Sequence, residues 1–269
     1  MDIAEQNGGK EQRAIQSVEV GGRLLLALSA HPTPMSLKDL AAGAQLPPSR
    51  AHPYLVSYGR LGLVIQDPAS GRYALGPAAL QLGLTALHQC EPVRAAEPVA
   101  GALATATGQA VAVAVWGNFG PTVIRMIDAR QPLHVAMRAG TVMATFGTAT
   151  GRAFAAVMRP EQVANLMSAT ALGDPATGTR SRDADQQRSH FTQARHEYTA
   201  HGCTRAVGRP IPGINAFSAP AFDHSGEPAI VLTLLGHQDH VPSAWSSPMA
   251  AAVKQAAADV SYRLGYHRR

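Results

Sequence analysis

Four clusters of helix-breaking residues cut positions 17–76 into short pieces: His31-Pro32-Thr33-Pro34, the run from Gly43 to Pro48, Gly62, and Pro68-Ala69-Ser70-Gly71. Proline fixes φ, lacks an amide hydrogen and disfavours helical geometry in the residue before it, while glycine favours a helix stop. No element in this stretch can be long. Three pieces read as helices. Ser17 is placed to cap the first, which carries Val18, Val20, Leu24, Leu25 and Leu28 on one side. Ser36 opens the second, Ser36-Leu37-Lys38-Asp39-Leu40-Ala41, with Asp39 as a shorter capping-box partner. The third runs from about Pro48 to Arg60. Residues 63–67 and 72–75 then read as two strands joined through Gly71.

A helix, a helix–turn–helix and a hairpin within about sixty residues make a winged helix-turn-helix, whose second paired helix meets base edges in the major groove. The charge agrees. Between residues 23 and 76, Arg23, Lys38, Arg50, Arg60 and Arg72 oppose only Asp39 and Asp67, a net +3. Ser49, Arg50, His52 and Tyr54 fall early in the third helix, Ser36 and Lys38 where the preceding helix approaches the phosphates, and Arg72 on the wing. Arg50 is suited to fork onto a guanine, which would contribute ~1–3 kcal/mol of discrimination. Pro53 sits inside the third helix and should either delay its start to near His52 or kink it.

Residues 77–90 form a short apolar helix with Leu80, Leu84 and Leu87 on one face, which needs covering and reads as a linker. The division expected is 1–76 for the winged helix, 77–90 for the linker and 91–269 for a second domain. That domain begins with a helix over 93–107. Strands follow at 110–116, 122–127 and 133–138, with helices at 148–158 and 160–169, a partly looped stretch at 173–189, and a helix near 188–200. Strands around 214–222 and 228–235 and a helix over 246–264 close it. A sheet flanked by helices offers small-molecule sites at its mouths. The fold class is therefore α+β.

The 269 residues carry a net charge of +5 and only two cysteines, Cys90 and Cys203, too few for a disulfide framework. The first 22 residues lack an apolar run, and no stretch reaches the ~20 apolar residues of a membrane span. A cytoplasmic protein without membrane contact is expected. Nucleotide loops are absent, because Gly147-x-x-x-Gly151 matches no fingerprint. His237-x-x-His240 follows a strand and lacks a third ligand, and His190, His196 and His201 do not share one clean face, so neither metal nor cofactor is expected. Arg205 beside Cys203 would lower a thiol pKa, but no Cys–His pair is evident and no enzymatic activity is expected. The arginines at 180, 182, 188, 195, 205 and 209 read as a solvated face.

Segments in both halves resemble the IclR family of bacterial transcriptional regulators. They are Ser17-Val18-Glu19-Val20-Gly21-Gly22-Arg23-Leu24-Leu25, Ser36-Leu37-Lys38-Asp39-Leu40-Ala41 and Gly71-Arg72-Tyr73-Ala74-Leu75-Gly76-Pro77. In the second half they are Ala149-Thr150-Gly151-Arg152-Ala153-Phe154 and Ala219-Pro220-Ala221-Phe222-Asp223. The resemblance implies an N-terminal winged helix, a linker helix and a C-terminal GAF-like domain that binds a small effector. It also implies dimers, often paired into tetramers, on palindromic double-stranded operators. Pro53 stands where such regulators usually carry Arg, which implies an altered operator preference. In relatives that bind small oxo-acids, the ligand meets a small-residue loop, an Asp, a Cys and two Ser. Carried over, the loop falls on Ala149 and Thr150, the Asp on Ala206, the Cys on Ala216 and the serines on Thr233 and Leu235. Three of those four polar side chains are thus apolar here, which favours an effector with a hydrocarbon body, such as an aromatic carboxylate. The amides near Ala149 and Thr150, with Thr148 or Arg125, would hold the acid group, and Trp116, Met126, Met143 and Phe146 would line the body. The other reading is a small-molecule-binding or enzymatic sensor domain whose helical head makes protein contacts only.

Overall fold

The computed structural model describes residues 14–130, 137–159, 161–165 and 184–267. The chain divides after Gln89 into two compact units. The first contains α1 (Gln16–Ser29), α2 (Leu37–Gly43), α3 (Pro48–Arg60), β1 (Val64–Gln66), β2 (Tyr73–Leu75) and α4 (Pro77–Gln89).

Its core is built from Leu24 and Leu28 of α1, Leu40 and Ala41 of α2, Ala51 and Leu55 of α3, and Val64 and Tyr73 of the hairpin. Two details of α1 differ from expectation. The helix begins two residues early, with Ile15 at its N-cap and no side-chain cap, so Ser17 lies inside the first turn. Val18 is 66% exposed. Burial follows the spacing Val20-Leu24-Leu28, and Val18 is two residues, or about 200°, away from that stripe. Ser36 does cap α2: its Oγ accepts from the Asp39 amide at 3.2 Å and donates to Asp39 Oδ2 at 2.7 Å.

Helix α3 starts at Pro48 and continues through Pro53, rather than starting near His52. Pro48 occupies the first turn, where its fixed φ is pre-organised for a helix. Ala51 and Leu55 anchor the buried side, while Ser49 and Pro53 are exposed, so the Ser49 carbonyl that loses its amide partner faces water. The hairpin strands pair antiparallel, with Val64 opposite Leu75 and Gln66 opposite Tyr73. Met35 and Tyr73 exchange backbone hydrogen bonds at 2.9 and 2.8 Å, which ties the wing to the start of α2. In the turn, the Ser70 hydroxyl and the Ala69 amide hold the Asp67 carboxyl below its ordinary range. Helix α4 buries no residue: Leu80, Leu84 and Leu87 are 63%, 47% and 41% exposed, so nothing described covers this face.

The second unit contains α5 (Pro92–Thr107), β3 (Ala110–Gly117), β4 (Gly120–Ile127), α6 (Ala149–Val157), α7 (Ala184–His201), β5 (Thr204–Val207), β6 (Ile214–Phe222), β7 (Pro228–His237) and α8 (Pro248–Arg263). Five strands form one sheet in the order β4-β3-β7-β6-β5, every pair antiparallel. The period-2 alternation of strands assigns each residue a face. Val111 and Val113, Phe217 and Ala219, and Ile230, Leu232 and Leu234 pack with α5 and α8 into the main core. Ala110, Ala112, Ala114, Val231 and Leu235 serve the other clusters, on the α6 side. The short edge strand β5 is an element the sequence reading lacked. Residues 133–136 of the expected strand at 133–138 lie outside the described residues, while Met137 and Arg138 have no regular structure. Residue 160 and residues 166–183 of the expected helix and loop also lie outside them.

Gly151 and Gly101 make a matched pair for testing this packing. A Cβ at Gly151 would lie 2.3 Å from the Thr145 carbonyl oxygen and 2.4 Å from that of Ala144, whereas one at Gly101 meets nothing within 4 Å. Urea unfolding should show Gly151→Ala destabilised by roughly 1–3 kcal/mol or more. Gly101→Ala should be neutral or stabilised by ~0.5–1 kcal/mol.

Candidate functional site

On the first unit the exposed side of α3 carries Ser49, Arg50 and His52, and Lys38 is exposed on α2. These four are free to face a groove or a phosphate. The other three residues singled out from the sequence are already engaged. Ser36 spends its hydroxyl on the cap of α2. Arg72 donates from Nη1 to the Pro34 carbonyl at 3.1 Å. Tyr54 is half-buried against the core, near Gly21 of α1.

On the second unit a pocket lies between the α6 side of the sheet and the N-terminus of that helix. Two cross-strand rows of the sheet lie beneath it, and all of the first but only Thr233 of the second line it. One is Ala206–Ala216–Leu235 and the other Thr204–Ser218–Thr233, each spanning β5, β6 and β7 in register. Two alanines side by side leave a hollow. The second row supplies hydroxyls that dock α6. Thr233 Oγ1 lies 2.8 Å from Thr150 Oγ1 and 2.7 Å from Ser218 Oγ, and Thr204 Oγ1 donates to the Ala149 carbonyl at 2.7 Å. Thr148 caps α6: its Oγ1 accepts from the Gly151 amide at 3.0 Å and donates to the Ala144 carbonyl at 2.8 Å. The first-turn amides of a helix have no partner within it and attract negative charge. Those of Ala149 and Thr150 sit beside the hollow.

The pocket, about 50 Å³, brings together eight of the residues expected there: Met143, Thr148, Ala149, Thr150, Ala206, Ala216, Thr233 and Leu235. It also takes in Met137, Arg209, Pro210, Ile211 and Ile214, which the sequence reading missed. The last four belong to the β5–β6 connection and the start of β6, and recognising β5 would have been the signal for them. Four expected residues lie elsewhere. Trp116 packs edge-on against Phe154 at 5.6 Å. Arg125 pairs with Glu97 at 3.0 Å on the surface. Met126 packs in the cluster around Val123 without lining the pocket. Phe146 lines a different cavity.

That second cavity, about 480 Å³, lies along α7 and β5. His190, His196 and His201 all line it, although His196 lies about 120° around the helix from the other two, so they meet at one cavity without sharing one clean face. His190, Gln193, Glu197 and His201 follow the three- and four-residue spacing of one helical stripe, a pattern the sequence already held. Arg205 also lines it and Arg209 the pocket above, while Arg195 donates from Nη2 to the Met158 carbonyl at 3.3 Å, so these three arginines are not merely a solvated face. Arg152 joins the surrounding elements. Its Nε meets Glu197 Oε2 at 3.2 Å, Nη1 donates to the Phe146 carbonyl at 3.2 Å and Nη2 to that of Arg205, while Glu197 Oε1 accepts from the Arg205 amide at 2.8 Å.

Cys203 is fully buried, and burial pushes its thiol up to about 11, against the lowering effects of Lys254 and Arg205. It is therefore a core residue and not a nucleophile. Among the described residues no group of three His, Cys, Asp or Glu is arranged to hold a metal ion, and no helix is long and apolar enough to cross a membrane.

Comparison with known proteins agrees with both halves of this architecture. Residues 17–68 match the IclR helix-turn-helix domain, and residues 84–262 match the bacterial transcriptional regulator IclR C-terminal domain. The glycerol operon regulatory protein of Streptomyces coelicolor is 26% identical, over 95% of this chain and 99% of its own length. Pseudomonas aeruginosa HmgR shares the fold with a TM-score of 0.82 and 30% identity, covering 95% of this chain and all of that one. The Agobacterium tumefaciens repressor BlcR superposes with a TM-score of 0.76 at 19% identity, covering 96% of this chain and all of that one. With its DNA-binding helix-turn-helix unit followed by an effector domain, the chain belongs to the IclR family of bacterial transcriptional regulators, a family of regulators and not of enzymes.

Proposed function

We propose that this regulator binds a palindromic double-stranded operator as a homodimer or homotetramer, and that a carboxylate effector in the α6 pocket alters that binding. One observation carries the reading. An exposed α3 surface bearing Ser49, Arg50 and His52 is joined to a unit whose α6 N-terminus opens onto a hollow lined mainly by apolar residues. Lys38 and the wing serve the phosphates, and Arg50 and His52 read base edges. Residues 77–90 act as the linker between the winged helix of 1–76 and the effector domain of 91–269. Their uncovered leucines supply apolar surface for a second chain. The protein works in the cytoplasm, consistent with two free cysteines.

The effector is an aromatic or other carboxylate with a hydrocarbon body. Its acid group meets the Ala149 and Thr150 amides, with Arg209 in the role first given to Arg125. Its body lies against Met143, Ile211, Ile214 and Leu235. A hollow of about 50 Å³ is smaller than the ~300–1,000 Å³ of ligand-filled sites, so binding displaces wall residues. Met137 and Met143, flexible and unbranched, are suited to that movement. The two DNA heads change their preferred spacing by no more than the ligand's differential affinity for the two arrangements.

Electrophoretic shifts with the DNA upstream of the gene, at several salt concentrations, test the first half. Affinity should fall steeply with salt. Lys38→Ala should lower the salt slope by about one, and Arg50→Ala should cost ~1–3 kcal/mol at one base position. Salt-independent binding would remove the DNA reading. Pro53→Arg should change the preferred operator sequence in a selection from randomised half-sites, and an unchanged preference would refute a role for Pro53 in operator choice. Calorimetric titration with aromatic and aliphatic acids tests the effector. Arg209→Ala should weaken binding by about tenfold, the scale of a hydrogen bond to a charged group. Tight binding of glyoxylate or pyruvate in place of larger acids would contradict the hydrocarbon body.

A further inference from the structure

The cavity of about 480 Å³ along α7 plays no part in the function described so far, yet it has the size of a ligand site. We infer that it is a second binding site, separate from the α6 pocket, and that it takes an organic polycarboxylate.

Phe146, Val207 and Trp245 give its walls an apolar part, and most of the polar side chains among them carry donors. Arg205 reaches it from β5, with its guanidinium carbon 4.2 Å over the ring of Trp245 and Nη1 donating to the Ser243 carbonyl. None of the ion pairs among the described residues includes it, so most of its N–H groups and its charge remain for a ligand. Arg152, in contrast, is consumed by Glu197 and two backbone carbonyls. Glu197, the carboxylate among the lining side chains, has both oxygens occupied, by Arg152 and by the Arg205 amide. Gln193 and the imidazoles of His190, His196 and His201 add donors along α7. A donor-rich, partly desolvated wall with an unpaired guanidinium suits a carboxylate.

The spread of the donors argues for more than one acid group. His190 and His201 are eleven residues apart on one helix, roughly 16 Å along its axis. Arg205 faces them from a strand. A lone carboxylate satisfies one end of this array, whereas an acid with two or three carboxylates bridges Arg205 and the α7 donors. The aromatic walls are pre-arranged: His201 stacks on Trp245 at 4.0 Å and 11°, and His190 lies 5.3 Å from Phe146. These contacts hold the imidazoles at the wall. The site does not depend on the effector reading. β5 separates the two cavities, with Ala206 lining one and Arg205 and Val207 lining the other.

Trp245 reports on this site directly. In full-length protein carrying Trp116→Phe, it is the sole tryptophan. Tricarballylate and citrate should each change its emission saturably, with a Kd below about 1 mM. Acetate at matched ionic strength should not. Arg205→Gln and His196→Ala should each raise that Kd at least about tenfold, the scale of one hydrogen bond to a charged group. Arg209→Ala, at an exposed residue of the α6 pocket, should leave it unchanged. His196 is an exposed side chain, so its variant carries the test if Arg205→Gln disturbs folding. The absence of a saturable change would overturn the proposal, as would an equal response to acetate, an unchanged Kd in His196→Ala, or loss of binding in Arg209→Ala.

Discussion

Arg152 is the residue on which the second unit's two cavities depend. From α6 it binds a carboxylate on α7, a carbonyl on β5 and a carbonyl in the loop before α6. Its side chain and that of Glu197 are only 18% and 14% exposed. Removing either partner would strand a largely buried charge, which typically costs ~3–5 kcal/mol. The same contacts fix the first turn of α6. Gly151, one residue earlier, lets that turn press against the carbonyls of Ala144 and Thr145, and the hydroxyl row of Thr204, Ser218 and Thr233 lies beneath it. The helix end is thus clamped from three directions, which keeps its free amides beside the hollow.

The two units solve different physical problems. The first is small and gains rigidity from local devices: the Ser36 cap, the Asp67 turn and the Met35–Tyr73 bridge. Its outward face on α3 stays polar and partly basic. The second is a sheet with one closed face and one working face. Packing on α5 and α8 consumes the first set of alternating side chains, and small residues and hydroxyls in the other set leave space for ligands. One short edge strand, β5, then divides that space.

Much of this is legible in the chain alone. The breakers at 31–34, 43–48 and 68–71 fix the N-terminal elements almost to the residue, because proline and glycine act locally. The strands at 214–222 and 228–235 show their alternation plainly. The reading failed where distance along the chain hides proximity. Trp116, Arg125 and Met126 have the right chemistry for a pocket, but they lie at other places on the hairpin of β3 and β4. Arg209 and Ile211 lie in the pocket although nothing local marks them. The strand β5 is four residues long, too short to show a period, and it took the ligand walls of both cavities with it.

By itself the sequence determined the class of the protein: a basic winged head, an apolar connecting helix and a helix-flanked sheet, since each follows from caps, breakers and periodicity that act within a few residues. Only the tertiary structure decided which side chains meet. It set Ala206 beside Ala216 to open a hollow, passed α3 through Pro53, and turned a scattered set of histidines into the wall of one cavity. Those outcomes rest on strand register and on packing between distant segments, which no local pattern specifies.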